Sequence, residues 1–277
     1  MEEVPRVDLP TTGAPVPSQT AHAIRGALEA LGFVRIAGHG IDPTLVRGCY
    51  DAFERFFSLP DATKRRYSGT RGGQRGYTAF GVEHARDHPV PDLKEFFHVG
   101  QALPPARPLG DAYPPNVWPA EVPELEGLAM ALFRALERCA TRILAALAHS
   151  YGVPEARFAT LAVEGNSILR AVHYPAVAVA APEALRAAPH EDINLITLLC
   201  GATAPGLEIH SRGRWIAVEH APEEIVVDTG DMLSRLTNGV LPATTHRVDL
   251  PEKKQGCHDD GSWVCPQRRT LRRKGER

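Results

Sequence analysis

Between Ser167 and Leu250 the chain passes through a series of short β-rich segments with turn residues, and no helical stretch, between them. They are Ser167–Tyr174, Asn194–Cys200, Leu207–His210, Arg214–Val218, Glu224–Asp228, Met232–Leu236 and Thr244–Leu250. Several alternate apolar and polar side chains, the period of a strand with one buried face. Closely spaced strands without intervening helices indicate an antiparallel sandwich or barrel, here a jelly roll.

The preceding sequence has a different texture. Ile24, Leu28 and Leu31 recur at helical spacing behind a cap at Ser18 or Thr20, and Gly32 stands where a left-handed C′ residue ends a helix. Phe33 to Ile36 reads as a strand. Asp42-Pro43 opens a second helix, with Leu45, Val46, Cys49, Phe53, Phe56 and Phe57 on its buried face and Leu59-Pro60 as its stop. Residues 70–90 and 103–122 read as loops, and a long helix runs from Pro123 to about Tyr151. The expected organisation is an N-terminal helical and strand module over 1–122, a scaffold helix with a jelly-roll core over 123–256, and a basic tail over 257–277 expected to be disordered.

Composition excludes several classes. A formal net charge of −2 gives no global attraction to nucleic acid or membranes. No apolar run approaches a membrane span, and the acidic start MEEVPRVDLP is not a secretory signal, so the expected location is the cytoplasm. The five cysteines are scattered and read as buried or idle thiols; Cys257, His258 and Cys265 match no common structural zinc spacing.

One constellation carries chemistry. His190-Glu191-Asp192 is placed at the start of a strand, where side chains two apart share a face, so His190 and Asp192 can reach one point while Glu191 turns away. His246 follows on a later strand that a jelly roll can bring alongside. Two imidazoles and one carboxylate make the facial triad of non-haem Fe(II) oxygenases, with the opposite coordination face open. An H-x-D triplet among twelve histidines also arises by chance, and the segments around it decide its weight.

His190-Glu191-Asp192-Ile193-Asn194-Leu195-Ile196-Thr197-Leu198-Leu199 resembles the metal-binding strand of the isopenicillin N synthase-like family of 2-oxoglutarate/Fe(II) oxygenases. Gly230 to Gly239 resembles the segment before that family's second histidine, and Leu241 to Val248 the segment that carries it. Upstream, Gly32 to Ile41, Phe57-Ser58-Leu59-Pro60, Arg75-Gly76-Tyr77 and Pro91 to Glu95 resemble its N-terminal module. The resemblance implies a double-stranded β-helix, iron ligated by His190, Asp192 and His246, 2-oxoglutarate as co-substrate, dioxygen, and a small-molecule prime substrate. It also implies that Tyr174, in Leu169-Arg170-Ala171-Val172-His173-Tyr174-Pro175, helps hold a co-substrate carboxylate. Arg170 shares the face of Tyr174 by parity and either joins it or pairs with a surface carboxylate. Asn194 and Asn238 are either donors that orient the ligands or turn residues. Arg75 either contacts a carboxylated substrate or is a surface loop arginine.

The resemblance stops after His246. The family carries an Arg-x-Ser or Arg-x-Thr a short distance after this histidine, whose Arg grips 2-oxoglutarate with a two-pronged bond; no Arg-x-Ser follows Asp249-Leu250-Pro251, and Arg268 and Arg269 come too late for that strand without a long detour. The sequence therefore supplies no recognisable last strand. A tail translated from another reading frame, testable by resequencing the gene, and a genuine short basic tail both account for this. Three functions stay open: an oxygenase consuming 2-oxoglutarate, a family oxidase using dioxygen without it, and an iron-binding protein without turnover.

Overall fold

The computed structural model describes residues 3–10, 14–69, 74–84, 90–101, 114–162, 165–175, 185–200 and 205–249, together with the backbone of 264–270. In chain order its elements are β1 (Arg6–Asp8), α1 (Ser18–Leu31), β2 (Phe33–Ala37), α2 (Pro43–Phe57), α3 (Asp61–Arg65), β3 (Gly76–Thr78) and β4 (Glu95–Gly100). They continue with α4 (Leu125–Ser150), α5 (Ala156–Ala162), β5 (Ile168–His173), β6 (Ala187–His190), β7 (Ile196–Cys200), β8 (Leu207–Ser211), β9 (Arg214–Ala217) and β10 (Ile225–Thr229). The last are α6 (Asp231–Leu236), β11 (His246–Val248) and β12 (Val264–Thr270).

The strands form two sheets, one ordered β1-β2-β10-β7-β12-β5-β4-β3 and one ordered β6-β11-β8-β9. All pairings are antiparallel except β1 with β2. This is the jelly roll that the strand spacing predicts, with a helical N-terminal region.

Parity within the large sheet sorts its residues. Phe97, Leu169, Ala171, Ile196, Leu198 and Val227 join Ile24, Leu28, Phe53, Phe56, Phe133 and Leu136 from the helices in one apolar core. Each fully buried large side chain contributes about 1.5–3 kcal/mol. The alternate residues Arg170, Val172, Thr197, Leu199, Val226 and Asp228 face the space between the two sheets. One face of the sheet therefore anchors the helices while the other builds a cavity.

The helix boundaries follow local chemistry. Asp42 caps α2 by accepting the N–H of Thr44 at 2.8 Å, with Pro43 at the first helical position. α1 starts at Ser18 behind Pro17 without a side-chain cap, so neither Ser18 nor Thr20 plays the expected capping role. Gly32 ends α1 at φ 68°, and its N–H bonds to the carbonyl of Leu28 at 2.8 Å.

Three expectations are corrected. Met232–Leu236, expected as a strand, lies in α6, whose first N–H groups are taken by the carbonyls of Asp192 and Asn194 at 2.7 and 3.1 Å. Tertiary bonds there override the β propensity of the segment. His190-Glu191-Asp192 does not begin a strand: His190 ends β6 and Asp192 lies in the turn before β7. The last strand is present, since β12 pairs with β5 on one side and β7 on the other. Arg268 and Arg269 lie on it, in register with Leu198 and Thr197 of β7. Backbone bonding from two open edges draws this segment in, and with it the Arg-x-Thr sequence Arg268-Arg269-Thr270. Pro266, which has no N–H, lies opposite β5 beyond the residues that pair with β7. Residues 251–263 and 271–277, including Cys257 and His258, lie outside the described residues.

Candidate metal centre

The sequence brings the centre together through pairing. His246 of β11 stands directly opposite His190 of β6, and their ring centroids are 4.4 Å apart. The turn after β6 adds Asp192, and one ligand atom from each of His190, Asp192 and His246 lies within 4.8 Å of the others. Asp192 and His246 are buried, while His190 is partly exposed.

Second contacts decide which atoms point inward. The Nδ1 of His190 bonds to the carbonyl oxygen of Ala188 at 2.8 Å, and that of His246 to the carbonyl oxygen of Thr244 at 3.1 Å. Each carbonyl requires a proton on Nδ1, which leaves Nε2 as the lone-pair nitrogen suited to a metal. Asp192 Oδ2 accepts from Asn194 Nδ2 at 3.3 Å and from the hydroxyl of Thr197. That hydroxyl itself accepts from Asn194 Nδ2 at 2.8 Å. The carboxylate is thus held through one oxygen, with the other turned to His190 Nε2 at 3.8 Å. Two imidazoles and a carboxylate on one side suit a divalent iron with open positions opposite.

Asp228 lies behind the group. Its Oδ1 accepts the backbone N–H of Thr197 at 3.0 Å, and its Oδ2 is 3.9 Å from His246 Nδ1. Burial, reinforced by the Asp192 carboxylate and opposed by His246, pushes its carboxyl up to about 7. Neither Thr197 nor Asp228 was legible as a site residue. The only signal is parity on β7 and β10, visible once the cavity face is known.

The cavity, counted together with the solvent space at its mouth, spans about 520 Å³. Apolar side chains Phe33, Leu199, Leu207, Val226 and Val248 line it beside the triad, and Phe33 meets the His246 ring edge-on with centroids 5.6 Å apart. Tyr174 and Arg170 also line it, as the parity of β5 predicts. Arg170 is buried with its guanidinium 3.9 Å from the Phe96 ring centroid, and it pairs with Glu83. Its partner is thus a carboxylate, but at the cavity wall. Asn194 is a buried donor to Asp192, whereas Asn238 is a turn residue at φ 53°. Arg75 is neither a surface arginine nor a lining residue. It is fully buried, donates to the Gln74 carbonyl at 2.7 Å and to Asn166 Oδ1 at 3.2 Å, and packs against Gly100 where any Cβ would collide with it.

Comparison with known proteins now bears on this geometry. Residues 165–257 match the family model described as the 2OG-Fe(II) oxygenase superfamily, and residues 4–121 that described as non-haem dioxygenase in morphine synthesis N-terminal. The 2-oxoglutarate-dependent dioxygenase caaD of Aspergillus niger is 30% identical over 260 residues, 89% of this chain and 79% of the relative. The chain belongs to the 2OG-Fe(II) oxygenase superfamily. A 2OG-Fe(II) oxygenase family protein from Caulobacter crescentus superposes on this oxygenase with a TM-score of 0.83 at 36% identity, covering 92% of this chain and 82% of the other. A full-length Neurospora crassa protein in complex with alpha-KG and thymine gives a TM-score of 0.86 at 26% identity, covering 99% of this chain and 87% of the other. Iron(II), 2-oxoglutarate and dioxygen are the reactants of the superfamily, and these relatives favour the 2-oxoglutarate-dependent function over the oxidase.

Proposed function

We propose that this oxygenase holds Fe(II) through His190 Nε2, Asp192 and His246 Nε2, and oxidises a small-molecule substrate in the cavity between its sheets. The observation that carries this is the convergence of the three ligand atoms within 4.8 Å, with both Nδ1 atoms committed to backbone carbonyls. When bound, the iron supplies the open coordination face at which 2-oxoglutarate and dioxygen react.

The chain's own residues do the rest. Ala188 and Thr244 fix the imidazole tautomers, and Asn194 with Thr197 fixes the Asp192 carboxylate. Phe33, Leu199, Val226 and Val248 exclude water from the reacting groups. Tyr174 and Arg170 stand on the wall where a co-substrate carboxylate can be met. In sequence, β12 carries Arg268-Arg269-Thr270, an Arg-x-Thr that follows His246 on the last strand. No helix among the described residues is long and apolar enough to cross a membrane, and Cys49, Cys139 and Cys200 are buried free thiols, which supports a reducing, cytoplasmic setting.

The test is anaerobic Fe(II) binding followed by succinate release under air. Wild-type protein is expected to bind one iron and release succinate, while Asp192→Ala and His246→Ala lose tight binding. Iron affinity untouched by both substitutions would sink the assignment.

A further inference from the structure

The cavity wall also carries two buried cations, Lys94 and Arg170. Their counter-charges come from different places. Asp92 is buried and structural: its Oδ2 is 2.7 Å from Lys94 Nζ and its Oδ1 accepts the N–H of Ala188 at 3.0 Å. Glu83 reaches in from the loop before β4, where Phe80 and Val82 are exposed. Its Oε2 serves both cations, at 2.8 Å from Lys94 Nζ and in direct contact with Arg170.

From this geometry we infer that Lys94 and Arg170 form a carboxylate subsite of the reaction cavity, and that Glu83 is its internal placeholder, displaced when a ligand carboxylate enters. The inference rests on the oxygenase function proposed above. Three observations support it. Glu83 is the partly exposed member of an otherwise buried network, with 35% of its side chain open to solvent. Its backbone is pinned, since its carbonyl accepts the Asp92 N–H at 2.9 Å, so exchange needs only rotation of the side chain and no opening of the loop. Removing the Glu83 carboxylate takes an anion from between two buried cations, a loss that a ligand carboxylate makes good and a neutral group does not. Burial raises the Glu83 carboxyl, but Arg170 and Lys94 outweigh it and hold the group well below the usual range, so the placeholder is an anion at neutral pH.

Two carboxylates can occupy the subsite, that of 2-oxoglutarate and that of the prime substrate. The experiment uses Mn(II)-loaded full-length protein without oxygen, and reads affinity by calorimetry and by thermal shift. One probe is 2-oxoglutarate; the other is benzoate, against uncharged benzamide, added with 2-oxoglutarate present. Glu83→Gln removes the internal competitor and is expected to tighten carboxylate binding about tenfold. Tightening of 2-oxoglutarate assigns the subsite to the co-substrate. Tightening of benzoate but not benzamide assigns it to the prime substrate. Lys94→Met is expected to weaken the same probe about tenfold, and it keeps the test decisive if Glu83→Gln does not fold. Unchanged or weaker binding in Glu83→Gln, or full affinity in Lys94→Met, overturns the exchange. Wild-type succinate release in those same variants would leave the oxygenase function standing.

Discussion

Thr197 supports the proposed metal site through Asp192, not as a ligand itself. Its hydroxyl donates to Asp192 and accepts from Asn194, while its backbone N–H holds Asp228. Thr197→Val keeps the shape and the backbone bond but removes one of the two donors to Asp192 Oδ2, leaving Asn194. Outer partners of this kind change metal affinity by about 10–100-fold. We expect Thr197→Val to weaken Mn(II) binding by about tenfold, measured by equilibrium dialysis, with the far-ultraviolet circular dichroism unaltered. Wild-type affinity in that variant would show that Asn194 alone orients the carboxylate. His190, Asp192 and His246 were legible because the segments around them resemble those of the family, in the same order. Thr197 and Asp228 were not, because a Thr or Asp on an apolar strand looks the same whether it faces a ligand or a turn.

Among elements, the turn at Gly32 joins the helical module to the centre. Its carbonyl accepts the Thr229 N–H at 3.0 Å, and the neighbouring Leu31 carbonyl accepts from the Thr244 hydroxyl at 2.8 Å. Thr244 in turn holds His246 by its carbonyl. At φ 68°, with the Pro242 carbonyl 2.7 Å from where a Cβ would stand, only glycine fits. Gly32→Ala is expected to cost about 1–3 kcal/mol and lower the Tm by several degrees in calorimetry. A weaker metal affinity should accompany it, because the strain falls on the segment leading to His246. An unchanged Tm would mean that the turn relaxes freely. This helix end was legible, since Gly after a periodic apolar run has one common use. α6 was not, because its first turn is secured by carbonyls of Asp192 and Asn194, distant in sequence from its own pattern.

For the whole molecule, β12 closes the large sheet. A chain ending at Gly256 leaves β5 and β7 as facing open edges across the middle of the fold. We expect that truncation to aggregate on size-exclusion chromatography and to unfold at lower temperature; a monomer of full stability would show that β12 adds nothing. On the helix side of the same sheet, Glu95 is buried between Lys64 Nζ at 2.8 Å, His173 Nδ1 at 2.7 Å and the Tyr77 hydroxyl. Burial raises its carboxyl, but the bonds from His173, Lys64 and Tyr77 outweigh burial and hold it below the ordinary value. A carboxyl whose folded value lies below its unfolded value of about 4.3 stabilises the protein fully above that pH. The contribution is lost as pH falls through the folded value. Wild-type Tm should therefore drop steeply below about pH 4.3, and Glu95→Gln, less stable at neutral pH, should show a shallower slope. Parallel slopes would remove Glu95 from the acid response.

The sequence by itself determined the architecture and the donor set. Strand spacing, helix caps and the order of His190, Asp192 and His246 are local patterns, and local patterns are written in consecutive residues. Tertiary structure alone decided what closes around them. It set the place of β12, the burial of Arg75 against Gly100, the support of Asp192 by Thr197, and the meeting of Glu83 with Lys94 and Arg170. Each of these depends on which distant segments come into register. That register is set by backbone bonds and packing between sheets, which no single stretch of the chain contains.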